Sequence, residues 1–318
     1  METRETLTST PAEARLPDAT RLGAVHLTVT GLERALAFYE GVIGLRVHRR
    51  DGGEAALGTG GRDVLVLHED PSARPAARHA GLYHVALLFG TRAELARVAV
   101  RIAVTRTPIQ GASDHGTHEA IYLPDPDGNG LELAWDRDRS VWPSYEEQLA
   151  GGIQPLDAED LLAVVAGEDP VARAADGLTV GHVHLHVGDT EAATRFYRDG
   201  LGFDVMADLG TAVFVSAGGY HHHVGFNVWR GRDIPAQPDG TVGLGHWTLV
   251  VPDAATLAAV AERLRAVGAP TEPHPEGLLS RDPSGIAVVV TQEGGEDSVF
   301  AGGSVAARHN RGHAKVGA

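Results

Sequence analysis

Two stretches of this chain repeat each other. VHLTVTGLERALAFYEGVIGLRV (25–47) aligns without gaps with VHLHVGDTEAATRFYRDGLGFDV (183–205), sharing Val25/Val183, His26/His184, Leu27/Leu185, Val29/Val187, Glu33/Glu191, Phe38/Phe196, Tyr39/Tyr197 and Gly44/Gly202. LYHVALLFGTRAELARVAVRI (82–102) aligns with LGHWTLVVPDAATLAAVAERL (244–264), setting His84 against His246, and DPDGNGLELAW (125–135) aligns with DPSGIAVVVTQ (282–292). A repeat of this length restricts the fold, because each copy must make the same elements. The chain divides into two homologous halves, 20–138 and 178–294. Between them, residues 139–177 form a linker with one short helix near Ala158–Val165. Residues 1–19 and the Gly-rich stretch 295–318 lack an apolar period and are expected to be disordered.

Inside each half the pattern repeats again as strand, helix and further strands. β-Branched residues alternating with others mark a strand over 24–30; Leu32, Ala35, Leu36 and Tyr39 share one face of a helix over 32–41, with Gly41 and Gly44 as its stop. DPDGNG is a turn feeding the strand LELAW. The expected architecture is α+β, built from four tandem βαβββ modules. With 318 residues there is length for two cores, and the net charge of −15 disfavours nucleic acid and anionic membranes as partners. There is no cysteine, so disulfides, thiolate zinc sites and a cysteine nucleophile are excluded. No apolar run is long enough for a span and no leader is visible at the N-terminus, so a cytoplasmic protein is expected.

Three residues stand out as metal ligands on predicted strands of the first half: His26 in AVHLTV, His84 in LYHVALL and Glu132 in GLELAW. Each has small residues two positions away on its own face: Ala24 and Thr28, Ala86, and Gly130 and Ala134. Two imidazoles and a carboxylate form the facial donor set of non-haem Fe(II) sites, which leaves positions for substrate and dioxygen. Taken singly, each histidine is more often a satisfied structural residue than a ligand, and Glu132 alone reads as a strand residue facing solvent.

The modules HLTVTGLERALAFYEGVIGL and YLPDPDGNGLELAWD resemble those of the vicinal oxygen chelate superfamily, which includes glyoxalase, bleomycin-resistance proteins and extradiol ring-cleaving dioxygenases. The tandem arrangement is most similar to two-domain enzymes of the catechol 2,3-dioxygenase type. The resemblance implies two domains with cup-shaped mixed sheets and a metal bound by a His on the first strand of one module, a His on the first strand of the next and a Glu on that module's last strand. His26, His84 and Glu132 fall on these positions. It further implies Fe(II), or Mn(II), as cofactor, a small aromatic diol and O2 as substrates, and a homo-oligomer. Tyr122 falls on a substrate-orienting tyrosine. His115, or His118 if a gap is placed differently, falls on an acid–base histidine.

The same template on the second half finds His184 and His246 but Val289 at the carboxylate and Leu279 at the tyrosine, so His184 and His246 stand as an alternative, incomplete site. His182 and His186 flank His184 on the same strand face. The triplet His221, His222 and His223 in YHHHVGFN resembles a strand motif of ring-cleaving enzymes in which a histidine at the position of His222 lies over the substrate. On a regular strand His221 and His223 would share one side and His222 the other. A glyoxalase-type isomerase is the second enzyme class; it wants a further Glu or Gln on the last strand of the first module, where RDVLVLHED offers His68 and Glu69. A non-catalytic small-molecule-binding resistance protein is the third class.

Overall fold

The computed structural model describes residues 15–169 and 173–295. Four βαβββ modules follow one another. The first holds β1 (Arg21–Val29), α1 (Leu32–Phe38), β2 (Arg46–Asp51), β3 (Glu54–Thr59) and β4 (Arg62–Glu69). The second holds β5 (Gly81–Leu88), α2 (Arg92–Thr105), β6 (Gly111–Asp114), β7 (His118–Pro124) and β8 (Gly130–Asp136). After it come α3 (Tyr145–Gly151), the two-residue strand β9 (Gln154–Pro155) and α4 (Ala158–Ala163). The third module holds β10 (Thr179–His186), α5 (Thr190–Thr194), β11 (Asp204–Asp208), β12 (Ala212–Ser216) and β13 (Val224–Asn227). The fourth holds β14 (Gly243–Val251), α6 (Ala254–Ala266), β15 (Thr271–His274), β16 (Gly277–Arg281) and β17 (Ala287–Gln292).

The modules do not pair in chain order. β5 pairs antiparallel with β10, so the second and third modules form one nine-stranded sheet, here the inner sheet. β1 pairs antiparallel with β14, so the first and fourth modules form the eight-stranded outer sheet. A ligand set drawn from the first two modules would therefore straddle two sheets.

Alternation along the central strands separates core from site. Val25, Leu27 and Val29 of β1, Val85 and Leu87 of β5, Val183 and Leu185 of β10, and Trp247, Leu249 and Val251 of β14 enter one buried apolar core. The intervening residues, His26, His84, His182, His184, His186 and His246, face the other way, as period-two geometry requires.

The helix expected over 32–41 runs as α1 into a π-helical turn (Tyr39–Ile43) and stops at Gly44. There φ is +89° and a Cβ would come within 2.7 Å of the Ala174 backbone nitrogen, so glycine is required on both counts. Tyr39 donates its hydroxyl to Asp125, and its repeat partner Tyr197 to Asp282, each at 3.0 Å. These bonds tie the DPDGNG and DPSGIA turns to the helix of the preceding module in each half. The linker carries more order than expected: α3 precedes α4, and its Ser144–Glu147 pair makes a reciprocal capping box. The segments expected to be disordered, 1–19 and 295–318, lie mostly outside the described residues. Those that are described include Leu16 in the core and Arg15 paired with Asp204 at 3.2 Å.

Candidate metal centre

On the inner sheet, three side chains converge. His84 Nε2 lies 3.0 Å and His182 Nε2 3.1 Å from Glu132 Oε2, and the two imidazole nitrogens are 3.2 Å apart. Register explains the meeting. Ala86 pairs with Glu132 on one side and with His182 on the other, so the carboxylate and the imidazole reach toward each other across a methyl group. Gly130 is needed two residues earlier, because a Cβ there would sit 1.9 Å from the Tyr83 carbonyl oxygen.

The expected trio of His26, His84 and Glu132 does not assemble: β1 belongs to the outer sheet, and His26 lies there with His246 and Glu276. His84 and Glu132 do meet, and the place given to His26 is taken by His182. The alternative pair His184 and His246 is likewise split between the sheets. His184 pairs in register with His84, but its Nε2 accepts a hydrogen bond from Asn227 Nδ2 at 2.9 Å. A signal for His182 stood in the sequence, since HVHLH puts three histidines on one strand face; the repeat alignment favoured the middle one.

Glu132 is 1% exposed. Burial alone would raise its carboxyl, but the charge of His182 and hydrogen bonds from His118, His182 and His84 outweigh it and hold the group well below the ordinary carboxylate range. Burial lowers His182 against the pull of Glu132. His118, buried, sends Nε2 to Glu132 Oε1 at 3.1 Å and is itself held by Thr117 Oγ1 at 2.9 Å. It grips the second carboxylate oxygen, a function for which its position in the chain carried no signal.

His115, in the turn between β6 and β7, lies on the cavity wall with Nε2 2.8 Å from the Tyr122 hydroxyl. Burial and the neighbouring His118 lower it to about 4. Burial and the Glu132 charge push the Tyr122 phenol up, so it stays protonated. The triplet lies in a bend before β13, so strand alternation does not govern it. His221 pairs with Asp136 at 3.2 Å and stacks on His118 at 4.7 Å. His222 lines the cavity with its ring 4.1 Å from that of His182. His223 turns away to Ser216 Oγ and the Ala217 amide.

These groups line a cavity of about 390 Å³ whose outer walls are Tyr83, Phe214, Trp229 and Ile153. Among the residues lining it there is no Lys or Arg. A buried carboxylate held among imidazoles, with no Lys or Arg beside it, is a donor set suited to a divalent metal ion.

The same architecture is found in known proteins. The model of the Glyoxalase/Bleomycin resistance protein/Dioxygenase superfamily matches residues 21–133 and again 179–290. The chain belongs to this superfamily. Among its members, catechol-2,3-dioxygenase of Bacillus subtilis (strain 168) is 40% identical over 270 residues, covering 83% of this chain and 94% of the relative. A solved Bacillus subtilis structure matches with TM-score 0.61 at 15% identity, covering 87% of each chain. Glyoxalase I from Zea mays matches at 0.56 and 17% identity, covering 86% of this chain and 92% of the other. Both likenesses support the fold of this superfamily member. No helix of the described residues is long and apolar enough to cross a membrane.

Proposed function

We propose that this chain is a metal-dependent extradiol dioxygenase that opens a catechol-like ring with O2 on its inner sheet. The observation that carries the reading is the convergence of His84, His182 and Glu132 at the foot of an aromatic-walled cavity, in a chain 40% identical to a catechol-2,3-dioxygenase. Fe(II), or Mn(II) with the same donors, is the cofactor proposed for these three residues. When bound, the ion supplies Lewis acidity toward the diol oxygens and an electron path to dioxygen.

The chain's own groups divide the remaining work. His118 fixes the Glu132 carboxylate from behind, as the partners of metal ligands do. Tyr122, kept protonated, donates its hydroxyl to a substrate oxygen and orients it. His115 is neutral at physiological pH and takes a proton from the diol hydroxyl, returning it as the ring opens. His222, its ring 4.1 Å from that of His182, faces the cavity as a hydrogen-bonding partner for substrate or dioxygen. Tyr83, Phe214 and Trp229 offer apolar area to a ring, with Tyr83 and Trp229 in edge contact at 5.6 Å.

A glyoxalase-type reaction would want a further acid on the partner module's last strand. At that position the third module presents Asn227, already bonded to His184 and 2.8 Å from His186. The test is anaerobic purification followed by iron analysis and assay with catechol. Iron content with oxygen uptake and a yellow ring-opened product supports the reading. Stoichiometric catechol binding without oxygen uptake would refute it.

A further inference from the structure

The outer sheet carries a cluster that this chemistry leaves unused. His26 and His246 are register partners on β1 and β14, and their rings stack 3.8 Å apart. Glu276, buried in the turn between β15 and β16, brings a carboxylate to them, so that one ligand atom from each residue lies within 4.8 Å of the others. His246 Nε2 is buried and makes no hydrogen bond. A buried imidazole nitrogen without a partner costs free energy that a ligand at that position would recover.

His26 is backed as ligating imidazoles usually are. Its Nδ1 lies 2.9 Å from His68 Nε2, and His68 Nδ1 lies 3.2 Å from Glu54 Oε1. A second cavity of about 390 Å³ opens onto His26 and Glu276, with Gly23, Ala24 and Thr248 beside them; Arg21, Arg49 and Arg62 also line it, the first and last paired with Glu293 and Arg49 with Asp63.

We propose that the outer sheet holds a second divalent transition-metal ion on His26, His246 and Glu276, clamping the N-terminal half of the chain to the C-terminal half. Its carboxylate comes from a hairpin turn and not from the last strand, where Val289 stands. Leu279 occupies the place of Tyr122, so the ion has no substrate-orienting phenol beside it. Its task is structural: it joins β1 to β14, the joint on which the outer sheet depends.

The test is Co(II) binding to the metal-free full chain, counted by equilibrium dialysis and followed by visible absorption. Wild type is expected to bind two ions; Glu276→Gln and His246→Asn each lose one equivalent. A Glu132→Gln, His182→Asn double variant keeps one, and Zn(II) raises its melting temperature; adding Glu276→Gln removes both the ion and the shift. Equal uptake by wild type and Glu276→Gln overturns the proposal, and Glu276→Gln, an amide for a carboxylate in a turn, decides it even if His246→Asn does not fold. One ion that is lost with Glu276 supports this proposal while refuting the catalytic site on the inner sheet.

Discussion

The two sheets are built alike and differ at one place. In every module the residue two positions after the first-strand histidine pairs with a residue on the last strand. That partner is His68 in the first module, Glu132 in the second, Asn227 in the third and Val289 in the fourth. Only the inner sheet has a carboxylate there, and only there does a cavity wall supply Tyr122 and His115 as well. The outer sheet draws its acid from Glu276 in a turn. The backbone is conserved between the sheets while the chemistry is set by one side chain per module, which is how one fold serves several reactions.

The largest effect is expected at Glu132. Glu132→Ala is expected to lower kcat/KM for catechol cleavage by about 10⁴-fold or more, since the proposed ion is worth several kcal/mol to the transition state. Chelation followed by Fe(II) should remove and restore the same activity; full activity in Glu132→Ala would move the site off the inner sheet. His115→Gln should cost about 10²–10³-fold in kcat, the range of a lost proton-transfer group, with iron content unchanged. Tyr122→Phe removes one hydroxyl at full ring volume. A loss of roughly tenfold, expressed in KM as well as kcat, fits an orienting role.

A smaller effect concerns pH. His115 and His186 are lowered to about 4 and His223 to about 3, each chiefly by burial. In the unfolded chain these imidazoles titrate near 6.5, so the unfolded state binds more protons between the two values and stability rises with pH there. Their contribution is complete above about pH 6.5 and is lost as pH falls toward 4. Melting temperature measured across that window should drop as pH falls, less steeply than the three rings alone would give, because burial raises Asp282 to about 6 and works the other way; a profile that rises toward pH 4 would contradict the assignment.

Much of this was legible in the sequence. The local pattern placed the strand over 24–30, the helix from Leu32 and the DPDGNG turn with the strand it feeds, because neighbouring residues decide those elements. His84, Glu132, His115 and Tyr122 line one cavity, since all four belong to one module. Which module pairs with which was not legible: β5 reaches β10 across a linker, and nothing local records that choice. His26 was therefore matched with the wrong neighbours, although His182 stood two residues from the histidine the repeat selected. Glu276 lies in HPEG, a turn whose acid has no counterpart in the other modules, so no pattern singled it out.

We propose that His182, and not His26, completes the centre with His84 and Glu132. The most direct measurement is iron content together with catechol-dependent oxygen uptake in His182→Ala, with folding checked by circular dichroism. His182→Ala is expected to be folded and to have lost both. A folded His182→Ala protein that retains its iron and cleaves catechol at the wild-type rate would contradict it.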